Sequence, residues 1–341
     1  MKLDIIAFTS RGAALAGRLK KFYPESSITA PKKYNTEDMQ ALKNLHDWTK
    51  SNFLTGKTLV FIGALGIAIR AIAPFLKDKV TDAAVLCIDE SGENIIPMLC
   101  GHIGGANQTA KEIAEMLGGR AIITTATDLN GIFSVDEWAS KNNCLITNPH
   151  VIKNISAALL DGEDVGIKSD FDIMGELPRG ITTDAKTKLG IEISLRSTNP
   201  FPTTLHIIPR IIVAGIGCRK DVSNELLEKK VYQTLSRFNI PVEAVGMIAT
   251  IDLKTNEPAL LALRDKLNLE FKEYSAEELM SAPGEFDKSE IVLRVTGTDN
   301  VCQRAVVCSG AKLFTGKIAE DGVAVALGKL DWSADFTEVS G

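Results

Sequence analysis

The stretch Leu59-Val60-Phe61-Ile62-Gly63-Ala64-Leu65-Gly66-Ile67-Ala68-Ile69-Arg70-Ala71-Ile72-Ala73-Pro74-Phe75-Leu76 is almost wholly apolar and about long enough to span a bilayer as a helix. Its interruptions argue for a different reading. Arg70 near the middle is costly in lipid, Pro74 disfavours a continuous helix, and Gly63 and Gly66 mark a turn. The pattern predicts a buried strand at residues 59–62 that turns into a buried helix at 67–75, and so a chain of alternating strands and helices rather than a membrane protein.

The same alternation extends to both sides. Residues 3–8 read as a first strand, 13–22 as a helix and 36–50 as a second helix with Glu37 and Asp38 in its first turn. Residues 83–88 read as a strand, and the turn-rich Asp89-Glu90-Ser91-Gly92-Glu93-Asn94 leads to Ile95-Ile96-Pro97-Met98, which predicts a hairpin. Ala106, Ala110, Ile113, Ala114 and Leu117 follow helical spacing, with Gly118-Gly119 as the stop. Residues 121–125 read as another strand. Strands joined through helices imply a largely parallel sheet, and ligands of such sheets bind beyond the strands' carboxyl ends. Three loops are therefore expected on one edge: Gly63-Ala64-Leu65-Gly66, the run from Cys100 to Asn107, and Thr124-Thr125-Ala126-Thr127-Asp128.

Beyond residue 134 the character changes. Ser134 and Glu137 have capping-box spacing for a helix reaching about Lys141, and 151–160 reads as a helix. Short strands follow, among them 165–168 and 190–195. Ser197-Thr198-Asn199-Pro200-Phe201-Pro202 reads as a linker. A new unit then starts with a strand at 211–214, a tight turn at Gly215-Ile216-Gly217-Cys218-Arg219-Lys220 and a helix at 222–235. Residues 245–251 read as a strand, Pro258 opens a helix, and Ser275 with Glu278 forms a second capping box. The expected architecture is α/β: an N-terminal, largely parallel domain over 1–130, a small α+β middle region and linker over 131–205, and a C-terminal α/β domain over 206–341.

At 341 residues, 45% hydrophobic and 24% charged, the chain can bury more than one core. Its formal charge of -5 argues against nucleic-acid binding, which usually needs a basic stripe. An acidic ligand would have to be held by local amides and a few cations, for which Arg70, Arg219 and Lys220 are candidates. Cys87, Cys100, Cys144, Cys218, Cys302 and Cys308 form neither a C-x-x-C pair nor a disulfide framework, so reduced thiols in a cytoplasmic protein are expected. No signal peptide is read at Met1-Lys2-Leu3-Asp4. His46, His102, His150 and His206 are scattered, so no metal site is expected.

Cys100-Gly101-His102-Ile103-Gly104-Gly105-Ala106-Asn107 carries the clearest chemical signal. Glycine admits close backbone approach, and a following helix offers unpaired N–H groups and a positive dipole end, a ready anion seat. His102 would place a proton-moving group beside it, or would simply order the turn. Asp89 and Asp128, both just past strands, are either acid–base groups or turn and cap residues. Cys218, read at a helix start beside Arg219 and Lys220, is either an activated thiol or a small buried residue. Gly63-x-x-Gly66 and Gly215-x-Gly217 lack the full dinucleotide fingerprint, and no phosphate-loop motif occurs, so nucleotide binding is unsupported.

Phe61-Ile62-Gly63-Ala64-Leu65-Gly66-Ile67-Ala68-Ile69-Arg70, Gly101 to Asn107 and Thr124 to Asp128 together resemble the N-terminal domain of the CbiG family, the cobalt-precorrin-5A hydrolases of anaerobic cobalamin biosynthesis. Gly215-Ile216-Gly217-Cys218-Arg219, Ala249-Thr250-Ile251-Asp252-Leu253-Lys254, Glu257-Pro258 and Gly297-Thr298 resemble that family's C-terminal domain. The resemblance spans nearly the whole chain and is weakest over 131–205. It implies a hydrolase that opens the ring A lactone of cobalt-precorrin-5A and releases acetaldehyde. It also implies a cobalt-corrinoid substrate whose own metal makes a protein cofactor unnecessary, and a cleft between the N- and C-terminal units as its place. A homodimer and transient contacts with other pathway enzymes fit the same picture.

The reaction needs an activated water, a held oxyanion and a moving proton. On chemistry and placement His102, Asp89 and Asp128 are the acid–base candidates. Gly63, Gly66, Arg70, Gly101, Gly104, Gly105, Asn107, Thr125, Gly217, Cys218, Arg219 and Lys220 are the substrate-binding ones. Two other readings are a non-catalytic corrinoid carrier and an α/β enzyme acting on a small phosphorylated metabolite. Acetaldehyde release separates the first from a hydrolase, and preferential stabilisation by sugar phosphates would mark the second.

Overall fold

The computed structural model describes residues 1–78, 81–101, 104–125, 129–184 and 186–337. Two units separate between Trp138 and Ala139. In the first, the chain runs β1 (Leu3–Ala7), α1 (Ser10–Phe22), β2 (Ser27–Ala30), β3 (Gln40–Ala41), α2 (Leu45–Asn52), β4 (Thr58–Ile62), α3 (Leu65–Ile72), β5 (Ala84–Ile88), β6 (Asn94–Leu99), α4 (Ala106–Leu117) and β7 (Arg120–Ala121). β1, β4 and β5 are buried along their whole length. Such buried runs, apolar except for Asp4 and Thr58, need cover on both faces. Leu3, Ile5 and Ala7 pack with Leu15 and Leu19 of α1 and Ile113 of α4 on one side. Ile6, Leu59 and Phe61 pack with Ala68 and Ile72 of α3 on the other.

The strand order is β3-β2-β1-β4-β5-β6-β7. Every pairing is parallel except β5 with β6, so the largely parallel sheet and the hairpin are both present. The helix expected at 36–50 begins only at Leu45. Asn44 caps it, its side chain accepting from Asp47 N at 3.2 Å, and Gln40 and Ala41 pair with β2 instead. A capping asparagine inside the run outweighs the acidic pair ahead of it. The strand expected at 121–125 ends at Ala121, although Ile122 N still donates to Ile95 O at 2.8 Å. The helix expected to be buried at 67–75 starts at Leu65 and covers the sheet with one face only, so Ile69 is 49% exposed.

α5 (Val135–Lys141) carries the chain into the second unit. There β8 (Cys144–Ile146), α6 (Ile152–Leu160), β9 (Val165–Ser169), β10 (Ile173–Met174), β11 (Ile181–Thr182), β12 (Leu189–Ile193) and β13 (Thr203–Pro209) follow. Five of these strands form a sheet in the order β11-β9-β12-β13-β8, which keeps residues up to Pro209. The stretch 197–202 is not a linker between units. It joins the parallel neighbours β12 and β13, and its Phe201 is buried where a Cβ on Gly166 or Gly190 would strike the ring. Prolines here support a short crossover rather than an open tether. Glu192, only 2% exposed, fastens it: its carboxylate accepts from Thr198 N at 3.0 Å and lies 2.9 Å from His206 Nδ1.

The last part runs β14 (Ile212–Cys218), α7 (Asn224–Arg237), β15 (Val245–Ile251), α8 (Pro258–Leu267), β16 (Glu270–Tyr274), α9 (Ala276–Ser281), α10 (Glu290–Thr296), α11 (Cys302–Cys308), β17 (Lys312–Leu313), β18 (Ile318–Glu320), β19 (Val323–Lys329) and β20 (Ala334–Asp335). Its sheet order is β16-β15-β14-β19-β17, with β18 also on β19. α7 and α8 cover one face through Leu227, Val231 and Leu260. α9 and α11 cover the other through Leu279, Ala305 and Val306. Pro258 stands in the first turn of α8, and the Ser275–Glu278 capping box is formed at α9, both as the sequence predicts.

Candidate functional site

The three loops expected on one edge of the first sheet lie at two. β6 runs against β5, pairing Leu99 with Val85 and Ile95 with Ile88. Cys100 therefore emerges beside the amino end of β5. Gly63, whose N–H donates to Ile88 O at 2.8 Å, sits at the carboxyl end. The length of a five-residue strand, roughly 17 Å, separates these two rims. A hairpin strand reverses direction, and the loop after it must follow.

At the amino rim the structure brings Gly101, Gly104, Gly105, Asn107 and Thr125 together. Asn107 is buried, and its Nδ2 donates to Thr125 Oγ1 at 3.2 Å. Gly105 precedes α4 in the left-handed region at φ 73°. A Cβ on Gly104 would lie 2.8 Å from Cys100 O, so the loop folds tightly on itself. Ala106 N donates to Cys100 O at 3.2 Å and Asn107 N to Gly101 O at 3.0 Å. The loop's own carbonyls thus satisfy two of the leading helix amides that the anion-seat expectation treats as open. His102 and Asp128 lie outside the described residues.

The carboxyl rim holds Gly63, Gly66, Arg70 and Asp89. Arg70 is exposed, and its Nη1 donates back to Gly66 O at 3.1 Å. Asp89 accepts from Ser91 N at 3.0 Å, Glu93 N at 3.1 Å, Asn94 N at 2.8 Å and Asn94 Nδ2 at 2.7 Å. Burial alone would raise this carboxyl group's pKa, but hydrogen bonds from Ser91, Asn94 and Glu93 outweigh burial and bring it to about 2. A carboxylate held this way organises the hairpin turn and is a weak base near neutrality. Sequence reasoning missed Thr9, which accepts from Gly12 N at 3.0 Å and donates to Glu90 Oε2 at 2.7 Å. Its signal was a threonine directly before an apolar-periodic helix.

In the second unit the end of β14 opens into a cavity of about 1000 Å³. Gly217, Cys218, Arg219 and Lys220 line it together. The tight turn expected at 215–220 is in fact the end of a strand, and Gly215 and Gly217 lie within β14. A Cβ on Gly215 would collide with the Cys302 carbonyl, so that glycine lets α11 pack against the sheet. Cys218 is not at a helix start, because α7 begins at Asn224 with Ser223 as its cap. Burial raises the Cys218 thiol to about 11, Lys254 opposing and Glu257 adding to the shift. This is the environment of a packed thiol, not of an activated one.

Sequence reasoning assigned no binding role to a further part of the cavity's lining. Ile291 and Val295 of α10 belong to it, as do Leu253 and Lys317. Buried Glu257 accepts from Asp221 N at 3.1 Å and from Lys254 Nζ at 2.7 Å. Among the described residues no group of three His, Cys, Asp or Glu side chains could hold a metal ion, and no helix is long and apolar enough to cross a membrane.

Residues 47–128 match the cobalamin synthesis G N-terminal family, residues 133–209 the cobalamin biosynthesis central region, and residues 212–328 the cobalamin synthesis G C-terminus. A cobalt-precorrin-5A hydrolase of Salmonella typhimurium is 32% identical over 340 residues, covering 96% of this chain and 97% of that protein. The chain belongs to the CbiG family. A second CbiG relative, the cobalt-precorrin-5A hydrolase of Priestia megaterium, is 29% identical, covering 95% of this chain and 94% of its own. Among solved structures, a cobalamin biosynthesis protein G homologue from Sulfolobus solfataricus is 25% identical, covering 96% of this chain and 97% of that one, with a TM-score of 0.41. The CbiG N-terminal match contains both rims of the first sheet from Gly63 onward, and the C-terminal match contains every cavity residue named above.

Proposed function

We propose that this CbiG-family chain is a cobalt-precorrin-5A hydrolase of anaerobic cobalamin biosynthesis. The observation that carries the reading is the full-length relationship: three family regions in order, and 32% identity over 96% of the chain to a relative of that name. In the reaction, water adds to the ring A lactone carbonyl, and the tetrahedral oxyanion collapses to a carboxylate with loss of an alkoxide. The alkoxide oxygen then becomes the aldehyde as the carbon–carbon bond breaks. Acetaldehyde leaves, and the ring carbon takes up a proton to give cobalt-precorrin-5B.

Those steps need a base, an oxyanion partner and an acid. His102 and Asp128 remain the acid–base candidates on sequence grounds, whereas Asp89 is committed to its turn. Arg70 at the carboxyl rim, and Arg219 and Lys220 at the cavity, are suited to peripheral carboxylates of the substrate. Cobalt arrives inside the macrocycle in this reading, so no cofactor of the protein's own is invoked. A cytoplasmic location, a homodimer and passing contacts with neighbouring enzymes belong to the same proposal.

The test is incubation with cobalt-precorrin-5A without oxygen, followed by an acetaldehyde assay. Wild type should release the aldehyde, and His102→Ala or Asp128→Asn should slow release about 100-fold if the replaced group transfers the proton. Corrinoid binding without aldehyde release would replace the hydrolase with a carrier.

A further inference from the structure

We infer that the cavity of the second unit seats the cobalt macrocycle itself, with α10 laid against its face and Lys220 and Lys317 holding its acid arms. The identity of the ligand rests on the hydrolase reading; the location of the seat rests on the following observations.

Ile291 and Val295 are 71% and 74% exposed, and both border the cavity. Four residues apart on one helix, they form a ridge about 6 Å long on a single face. Leu253, 65% exposed, adds a third aliphatic group to the lining. Apolar side chains left open around a concave space mark a surface completed by a ligand. A small phosphorylated metabolite would make no use of them, whereas a flat ring with a hydrocarbon periphery would.

The charges bordering the cavity divide into two sets. Lys254 is held by Glu257 at 2.7 Å, and Glu320 and Asp321 are held by Lys230 at 2.7 and 2.8 Å. Lys254 and Glu257 neutralise each other, whereas Glu320 and Asp321 share the one cation Lys230 and keep a residual negative charge at the rim. Arg219, Lys220 and Lys317 line the cavity without a salt bridge to a described side chain. The charge of Arg219 helps to hold Asp321 ionised, and Lys220 and Lys317 are the cations best placed to meet external carboxylates. Asp221 and Asp252 also line the space, so a ligand of uniform negative charge fits poorly. A ring with apolar faces and separate acid arms around its edge fits a lining of mixed charge better.

The wall is anchored. Ser289 Oγ accepts from Val292 N at the start of α10, and Ser289 N donates to Asp299 O at 3.0 Å. The Asp299 carboxylate accepts from Arg304 Nε at 2.7 Å, and Arg304 Nη1 donates to Leu279 O at 3.1 Å, all in buried surroundings. Val292 packs into the core beneath. The ridge is therefore presented by a fixed helix, as binding without ordering cost requires.

The full-length protein can be titrated without oxygen against cobyrinic acid, a cobalt corrinoid with free carboxylate arms, and against cobinamide, whose arms are amides. Binding is read from the corrinoid absorption spectrum. The double variant Ile291→Glu/Val295→Glu should weaken cobyrinic acid binding about tenfold or more and raise KM for cobalt-precorrin-5A more than it lowers kcat. Leu253→Glu, also at an exposed position, should act in the same direction. Lys317→Glu should weaken cobyrinic acid binding about tenfold while leaving cobinamide within about twofold. If the wall variants keep both the dissociation constant and KM, or if wild type binds no cobyrinic acid, the seat is overturned even where acetaldehyde release stands. Wall-dependent binding without acetaldehyde release would retain the seat and remove the hydrolase.

Discussion

The loop ahead of α4 and the end of β14 both combine closely spaced glycines with a polar residue, yet they solve different packing problems. At the first, Gly101 and Gly104 make room for the amide of Asn107 and for Cys100, and Asn107 turns inward to Thr125. At the second, Gly215 makes room for a carbonyl of α11, and the residues after Gly217 line a cavity. Glycine spacing reports that something comes close. Topology decides whether that neighbour is the loop itself, another helix or a ligand.

The contrast is sharpest in stability. Gly215→Ala should cost about 3 kcal/mol or more, because the added methyl meets backbone that cannot swing aside. Gly101→Ala meets the end of a side chain and should cost about 1–2 kcal/mol. Chemical denaturation of each variant checks both values, and equal losses would break the distinction.

Asp89 gives a smaller effect with a defined pH window. Its folded pKa lies below the ordinary value, so its stabilisation is present above the unfolded pKa and is lost as pH falls through about 2. After discounting for partial exposure, Asp89→Ala should cost about 1–2 kcal/mol at neutral pH. The gap between variant and wild type should close on acidification from about pH 4 to about pH 2. A gap independent of pH would show that the side chain acts through packing.

Smallest of all should be the effect on catalysis at Cys218. With the thiol raised to about 11, little thiolate exists near neutrality, and Cys218→Ala should retain acetaldehyde release within about threefold. Abolished release from a folded variant would turn the strand end into a nucleophile site and erase the difference between the two regions.

Long, strongly patterned elements were legible from sequence. β4 and α4 follow their predicted bounds, as do Pro258 and the Ser275 capping box. Residues 36–50 misled because the acidic pair at 37 and 38 resembles a helix start, whereas Gln40 and Ala41 pair with β2 and the helix waits for the Asn44 cap. Cys218, Arg219 and Lys220 were found because a glycine-rich strand end stands out, although its conformation was misread as a turn. Ile291 and Val295 escaped notice because an apolar residue on a short helix reads as core unless the surrounding space is known. The opposed rims of the first sheet follow from the direction of one hairpin strand, and that consequence appears only when the strands are laid side by side.

Phe201 fills a hollow that exists because positions 166 and 190 both lack a side chain. Three residues, from β9, β12 and the crossover that follows, therefore share one volume, and selection acts on their combined size. Over evolutionary time they should drift as a set: a smaller residue at 201 admits a methyl group at one of the glycines, while any lineage that enlarges two of the three loses the crossover.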